Sequence, residues 1–144
     1  MKNSVRRFLC LIIALCTLSA MTTALARSSL TLSAYSAGCV AESGGEIAIW
    51  ISVIGTYPHM DKIGSDAIYL YESTDGTRYT RVAVFEPEDY PAMLTTNAIS
   101  YYKTVATYQG IPGRYYYALV YCYAEKDGVS DSKPYETATV QAIS

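Results

Sequence analysis

The sequence reads as all-β, an antiparallel two-sheet sandwich of about seven strands, for three reasons. From Leu30 onward apolar and polar residues alternate with period two. Clusters of Gly, Pro, Asn and Asp break that alternation at roughly ten-residue intervals. No long segment after residue 26 carries the spacing of an amphipathic helix. Short alternating strands of this kind bury their apolar faces by packing as two facing sheets.

The elements follow in order. Leu30, Leu32 and Ala34 alternate with Thr31, Ser33 and Tyr35 in a first strand, and Ser43-Gly44-Gly45 is a turn. Ile47, Ile49, Ile51 and Val53 then alternate with Ala48, Trp50, Ser52 and Ile54. The stretch Gly55 to Asp66, with Pro58 and Gly64, reads as a loop. Ala67 to Glu72 is a strand, Asp75-Gly76 a hairpin turn and Arg78 to Phe85 its partner. Glu86 to Asn97, holding Pro87 and Pro91, is irregular. Ser100 to Tyr108, Arg114 to Ala124 and Tyr135 to Ala142 complete the strands, separated by turns at Gly110 to Gly113 and Lys126-Asp127-Gly128.

The first 26 residues stand apart. Lys2, Arg6 and Arg7 precede an apolar run from Phe8 to Leu18, and Ala24-Leu25-Ala26 has the small-x-small form of a cleavage site. The uncharged stretch Phe8 to Ala26 is 19 residues, just long enough to span a bilayer. Thr17, Ser19, Thr22 and Thr23 dilute its second half, which favours a signal peptide (1–26) cut before Arg27 over a retained anchor. The sandwich domain is then 27–144, and the protein is expected to be secreted. Three of the 11 basic residues and none of the 13 acidic ones leave with the leader, so the net charge moves from −2 to −5. That balance argues against nucleic acid and other anionic partners. No membrane association is expected after cleavage.

Cys10 and Cys16 also leave, so Cys39 and Cys122 remain. Two cysteines in an exported chain point to one disulfide, with two buried thiols or an intermolecular bridge as the alternatives. No Cys-x-x-Cys motif suggests redox catalysis.

One local motif sharpens the fold. Pro112-Gly113-Arg114-Tyr115-Tyr116, followed by Ala118, Val120 and Cys122 on alternate positions, resembles the start of the sixth strand of fibronectin type III domains. The resemblance makes Tyr116 a tyrosine corner, capping the turn through its hydroxyl. Trp50 departs from that family, because its parity keeps it off the face of Ile47, Ile49 and Ile51. The expected fold is therefore an Ig-like sandwich and not fibronectin type III proper. Three longer segments, Ser43 to Thr56, Met60 to Thr77 and Tyr108 to Ala124, resemble an uncharacterised family of small secreted Gram-positive bacterial proteins. The Met-Asp-Lys-Ile-Gly turn followed by Ile-Tyr-Leu-Tyr-Glu is the most specific piece. That resemblance implies secretion and fold, and no activity.

Little in the chain suits catalysis. His59 is the single histidine, and neither a Gly-x-Ser-x-Gly elbow nor a His-Glu-x-x-His zinc motif is present. Glu86, Glu88 and Asp89 fall in a Pro-containing loop, and Asp127 with Asp131 flanks the last turn, without the framework of a calcium loop. No catalytic residue, metal or cofactor is expected, and the protein reads as a non-enzyme. Tyrosine is what stands out, with 15 residues. Tyr115, Tyr117, Tyr121 and Tyr123 share one face of the longest strand, and Tyr69 and Tyr71 have the same outward parity. Such rings supply β-propensity and cover their own sheet, or they form an aromatic recognition face. These six are the candidate binding residues. The expected function is a monomeric, non-catalytic binding module for an extracellular protein or a glycan. The runner-up is a small secreted effector, a bacteriocin-like toxin or an enzyme inhibitor.

Overall fold

The computed structural model describes residues 29–144. The leader, its cleavage point, Cys10 and Cys16 lie outside them. Nine strands follow in order: β1 (Leu32–Ala41), β2 (Glu46–Gly55), β3 (Lys62–Ser73), β4 (Thr80–Phe85), β5 (Leu94–Thr95), β6 (Ser100–Gln109), β7 (Tyr115–Lys126), β8 (Val129–Glu136) and β9 (Val140–Gln141). One sheet has the order β1-β2-β6. The other has the order β4-β3-β7-β8, with the two-residue β5 on β3 and β9 on β7. Every pairing is antiparallel. The protein is a two-sheet all-β sandwich.

Local chemistry explains where β4 goes. Gly76 turns the chain at φ +74, and the Asp75 carboxylate accepts the backbone N–H groups of Thr77 and Arg78 and the Ser73 hydroxyl. These bonds hold the Asp75 carboxyl well below the usual carboxylate range. The turn returns β4 alongside β3. A constant-type immunoglobulin sandwich instead places its fourth strand on the opposite sheet.

The core lies between the sheets. Ile47, Ile49, Ile51 and Val53 of β2 face Ile68 and Leu70 of β3 and Ala118, Val120 and Cys122 of β7, all fully buried. The large side chains of β2 meet the smaller Ala118, Val120 and Cys122 of β7, with Ile68 and Leu70 filling the space beside them, as close packing of two layers requires.

The expected strands shift in three places. In the first, Leu30 is exposed, and a register shift between Leu32 and Ala34 reverses the later parity. Ala37, Cys39 and Ala41 therefore pack inward. Leu30 lies outside the strand because Asp131 holds the preceding segment, accepting from the Ser29 hydroxyl and from the N–H groups of Leu30 and Thr31. In the second, β3 begins at Lys62, inside the expected loop. Gly64 makes this possible: a Cβ there would sit 2.0 Å from the Met93 carbonyl oxygen, and φ is +148. In the third, the segment from Val129 is a strand and the expected Tyr135–Ala142 strand is broken. Thr137 leaves β8 because its Oγ1 accepts the Ala118 N–H at 2.9 Å.

The expected disulfide is not formed: Cys39 and Cys122 are both free. Both point inward, but at different heights. Cys39 Sγ lies 3.4 Å from Thr137 Oγ1 and beside the Ala118 backbone. Cys122 is four residues further along β7, about 13 Å at the rise of an extended strand. A bridge needs Cα atoms within about 7 Å. Burial pushes the Cys39 thiol up, and burial together with the Asp66 charge pushes Cys122 up to about 12. Both are unreactive thiols at neutral pH.

Alkylation in denaturant should therefore add the same number of labels with and without prior reductant. Intact mass reads this directly, and a deficit of two labels without reductant would mean a bridge.

Candidate functional site

Two groups on β7 define the candidate site: the outward tyrosines, and Tyr116, which has the opposite parity. The register β3–β7 pairs Tyr71 with Tyr117 and Tyr69 with Leu119. Tyr117 and Tyr71 stack with ring centroids 5.0 Å apart and planes 8° from parallel. That separation matches the spacing between neighbouring strands, so the two rings stand up from the sheet with faces turned to each other. Tyr69 meets the diagonal Tyr121 edge-on at 5.7 Å. Tyr69, Tyr71, Tyr117 and Tyr121 thus form one continuous patch, each ring half-buried by its neighbours.

Tyr115 and Tyr123 lie at the two ends. The Tyr115 ring passes over the β3–β4 turn, where a Cβ on Gly76 would sit 3.6 Å away. The Tyr123 hydroxyl donates to Glu125. Tyr123 also borders an open groove of about 370 Å³, whose charged walls are Lys62, Asp66, Glu86 and Glu88. The groove mixes one cation with three acids.

The structure adds two residues that the sequence reading left out. Tyr79 packs edge-on against Tyr117 at 4.8 Å, and the Arg81 guanidinium lies over Tyr69 at 5.3 Å from its centroid. The signal was available in the hairpin, which puts β4 beside β3 and Arg81 opposite Tyr71. Burial, then the Glu136 charge and the neighbouring phenols, push the Tyr117 hydroxyl up. The Tyr117 hydroxyl therefore stays protonated, able to donate and accept.

Tyr116 belongs to the interior. It is fully buried. Its hydroxyl accepts the Ile111 N–H at 2.9 Å and donates to Glu72 Oε2 at 2.6 Å. Arg114 completes the cluster by pairing with the other Glu72 oxygen. Gly110 leaves room for the ring, since a Cβ there would lie 3.0 Å from it. Tyr116 thus closes the crossover from β6 to β7 and is structural. Burial, the Glu72 hydrogen bond and the Glu72 charge push its phenol up to about 12.

The remaining sequence candidates do not converge. His59 is exposed in the β2–β3 loop. Asp131 is committed to the segment before β1, and Asp127 donates its backbone N–H to Asp61. Among the described residues no group of three or more His, Cys, Asp or Glu is placed to hold a metal ion. No protein-family model, curated protein or solved structure matches the chain.

Replacing Tyr116 by Phe leaves the Ile111 N–H and a Glu72 oxygen without their partner, which should cost about 1–3 kcal/mol in urea unfolding. The pH dependence has a definite sign. An acid whose folded pKa lies above the unfolded tyrosine value of about 10 stabilises the fold fully below that pH. That contribution is lost as pH rises toward 12. Wild-type stability should fall steeply above pH 10, and the Phe variant should show a shallower fall. Parallel curves would remove Tyr116 as the cause.

Proposed function

We propose that the protein is a secreted, non-catalytic binding module that engages a partner protein through the tyrosine face of the β4-β3-β7-β8 sheet. The observation carrying this reading is the way the rings pack. Tyr71 and Tyr117 turn their faces to each other, Tyr79 closes on Tyr117, and Arg81 covers Tyr69. What faces outward is a set of ring edges and phenol hydroxyls. A sugar ring stacks on an open aromatic face, and these faces are occupied. A protein surface uses the other features: stiff side chains with little entropy to lose, apolar edges, and hydroxyls that find backbone partners. The guanidinium of Arg81 adds a charged donor at the edge of the patch, and Arg with Tyr is the usual composition of an interface centre.

The rim supports the same reading. Glu136 and Pro134 of β8 flank Leu119 and Tyr121, while Arg81 flanks Tyr71 on the opposite side. A polar rim around an aromatic centre excludes water from the contact without adding much affinity of its own.

The test compares wild type with a double variant carrying Tyr117→Ser and Tyr121→Ser on arrays of extracellular proteins and of glycans. Wild type should capture at least one protein, and the double variant should lose it by more than tenfold (about 1.4 kcal/mol). Equal capture by both forms would overturn the reading. So would a wild type that captures no protein, or a glycan whose capture the double variant abolishes.

A further inference from the structure

The opposite side of the molecule carries a second aromatic feature of different geometry. Trp50 is the only tryptophan and has outward parity on β2, the central strand of the three-stranded sheet. It pairs with Gly38 on β1 and with Thr104 on β6. The indole lies down across β1 at Gly38: a Cβ there would be 2.5 Å from two of its ring atoms and 2.6 Å from a third. Glycine is therefore the one residue that lets the ring recline on the sheet. Tyr102 stands beside it, with ring centroids 5.8 Å apart and planes tilted by 45°. At 73% exposure Tyr102 is the most exposed of the large apolar side chains described.

The surroundings narrow the ligand. Ser36 and Ser52 pair with each other next to the indole, and Ser52 pairs with Tyr102. Thr104 and Thr107 share the same outward face on β6 and are exposed. Lys103 has the opposite parity, paired with Ile51. The outward positions beside the platform thus carry hydroxyls, Ala48 and the exposed Val40, with no carboxylate, lysine or arginine. An uncharged surface gives no electrostatic advantage to nucleic acid, acidic glycans or charged peptides. A reclining indole with an angled phenol matches the apolar C–H face of a pyranose, and the flanking hydroxyls match its equatorial hydroxyls.

We propose that the outer face of β1-β2-β6 is a carbohydrate-binding site, taking a neutral sugar ring stacked on Trp50 with Tyr102 as its side wall. This site is separate from the tyrosine face and does not depend on it. Because Trp50 is the sole tryptophan, emission excited at 295 nm reports the site alone. The purified protein is titrated with cellohexaose, chitohexaose, mannohexaose and maltohexaose, and with hexagalacturonate as the acidic counterpart. At least one neutral hexasaccharide should shift the emission to shorter wavelength and saturate. Tyr102→Ala, folded by circular dichroism, should weaken that sugar by about tenfold. The Tyr117→Ser, Tyr121→Ser protein should bind it as wild type does. The proposal is overturned if no neutral sugar shifts the emission at millimolar concentration, if only hexagalacturonate does, or if Tyr102→Ala binds unchanged.

Discussion

The hydrogen bond between Tyr116 and Glu72 sets the arrangement of everything else. These two residues are direct partners in the β3–β7 register, so their bond holds two central strands at one alignment. Side chains alternate with period two, and a slip of one residue would exchange every inward and outward position on β7. Tyr117 and Tyr121 would enter the core, and Ala118 and Val120 would face solvent. The hydroxyl also holds the Ile111 backbone at the crossover between the sheets, while the neighbouring Gly110 N–H is bonded to Gly45 at the end of the β1–β2 connection. One side chain thereby couples register within a sheet to the closure of the sandwich.

The tyrosine face follows from that alignment, and the outer face of β1-β2-β6 differs from it for a simple geometric reason. On β3 and β7 large rings oppose each other at strand spacing, which forces them upright and spends their faces on one another. On β1, β2 and β6 the large ring opposes a glycine, so it reclines and stays half-buried on the outer surface. The first arrangement suits a protein partner. The second suits a flat apolar sugar face. A domain with both would link a glycan-bearing surface to a protein, with about one sandwich thickness between them.

Much of this was legible in the residues. The alternation of Ile47 through Val53, the Tyr-x-Tyr parity of β3 and β7 and the outward position of Trp50 all follow from period two alone. What parity cannot supply is height along a strand or the identity of a neighbour. Cys39 and Cys122 both face the core, yet only the packing of one sheet over the other, which sets Cys39 beside Ala118, shows that they are four residues apart in level. Gly64 looked like a loop residue because glycine weakens strands in general. It sits in β3 because the Met93 backbone passes where a side chain would be. The edge strand β8 is hidden for another reason: most of Val129–Glu136 is exposed, so the segment before Tyr135 carries no apolar alternation to mark a strand. Gly38 carried no signal until its partner was known to be Trp50.

The sorting of tyrosines by β7 is the claim on which the tyrosine face rests, and native-state nitration with tetranitromethane mapped by peptide mass spectrometry measures it residue by residue. Tyr102 should react first, the half-buried Tyr115, Tyr117, Tyr121 and Tyr123 more slowly, and Tyr116 only on unfolding. Nitration of Tyr116 at the rate of its neighbours Tyr115 and Tyr117 would contradict the register and, with it, the assignment of the tyrosine face.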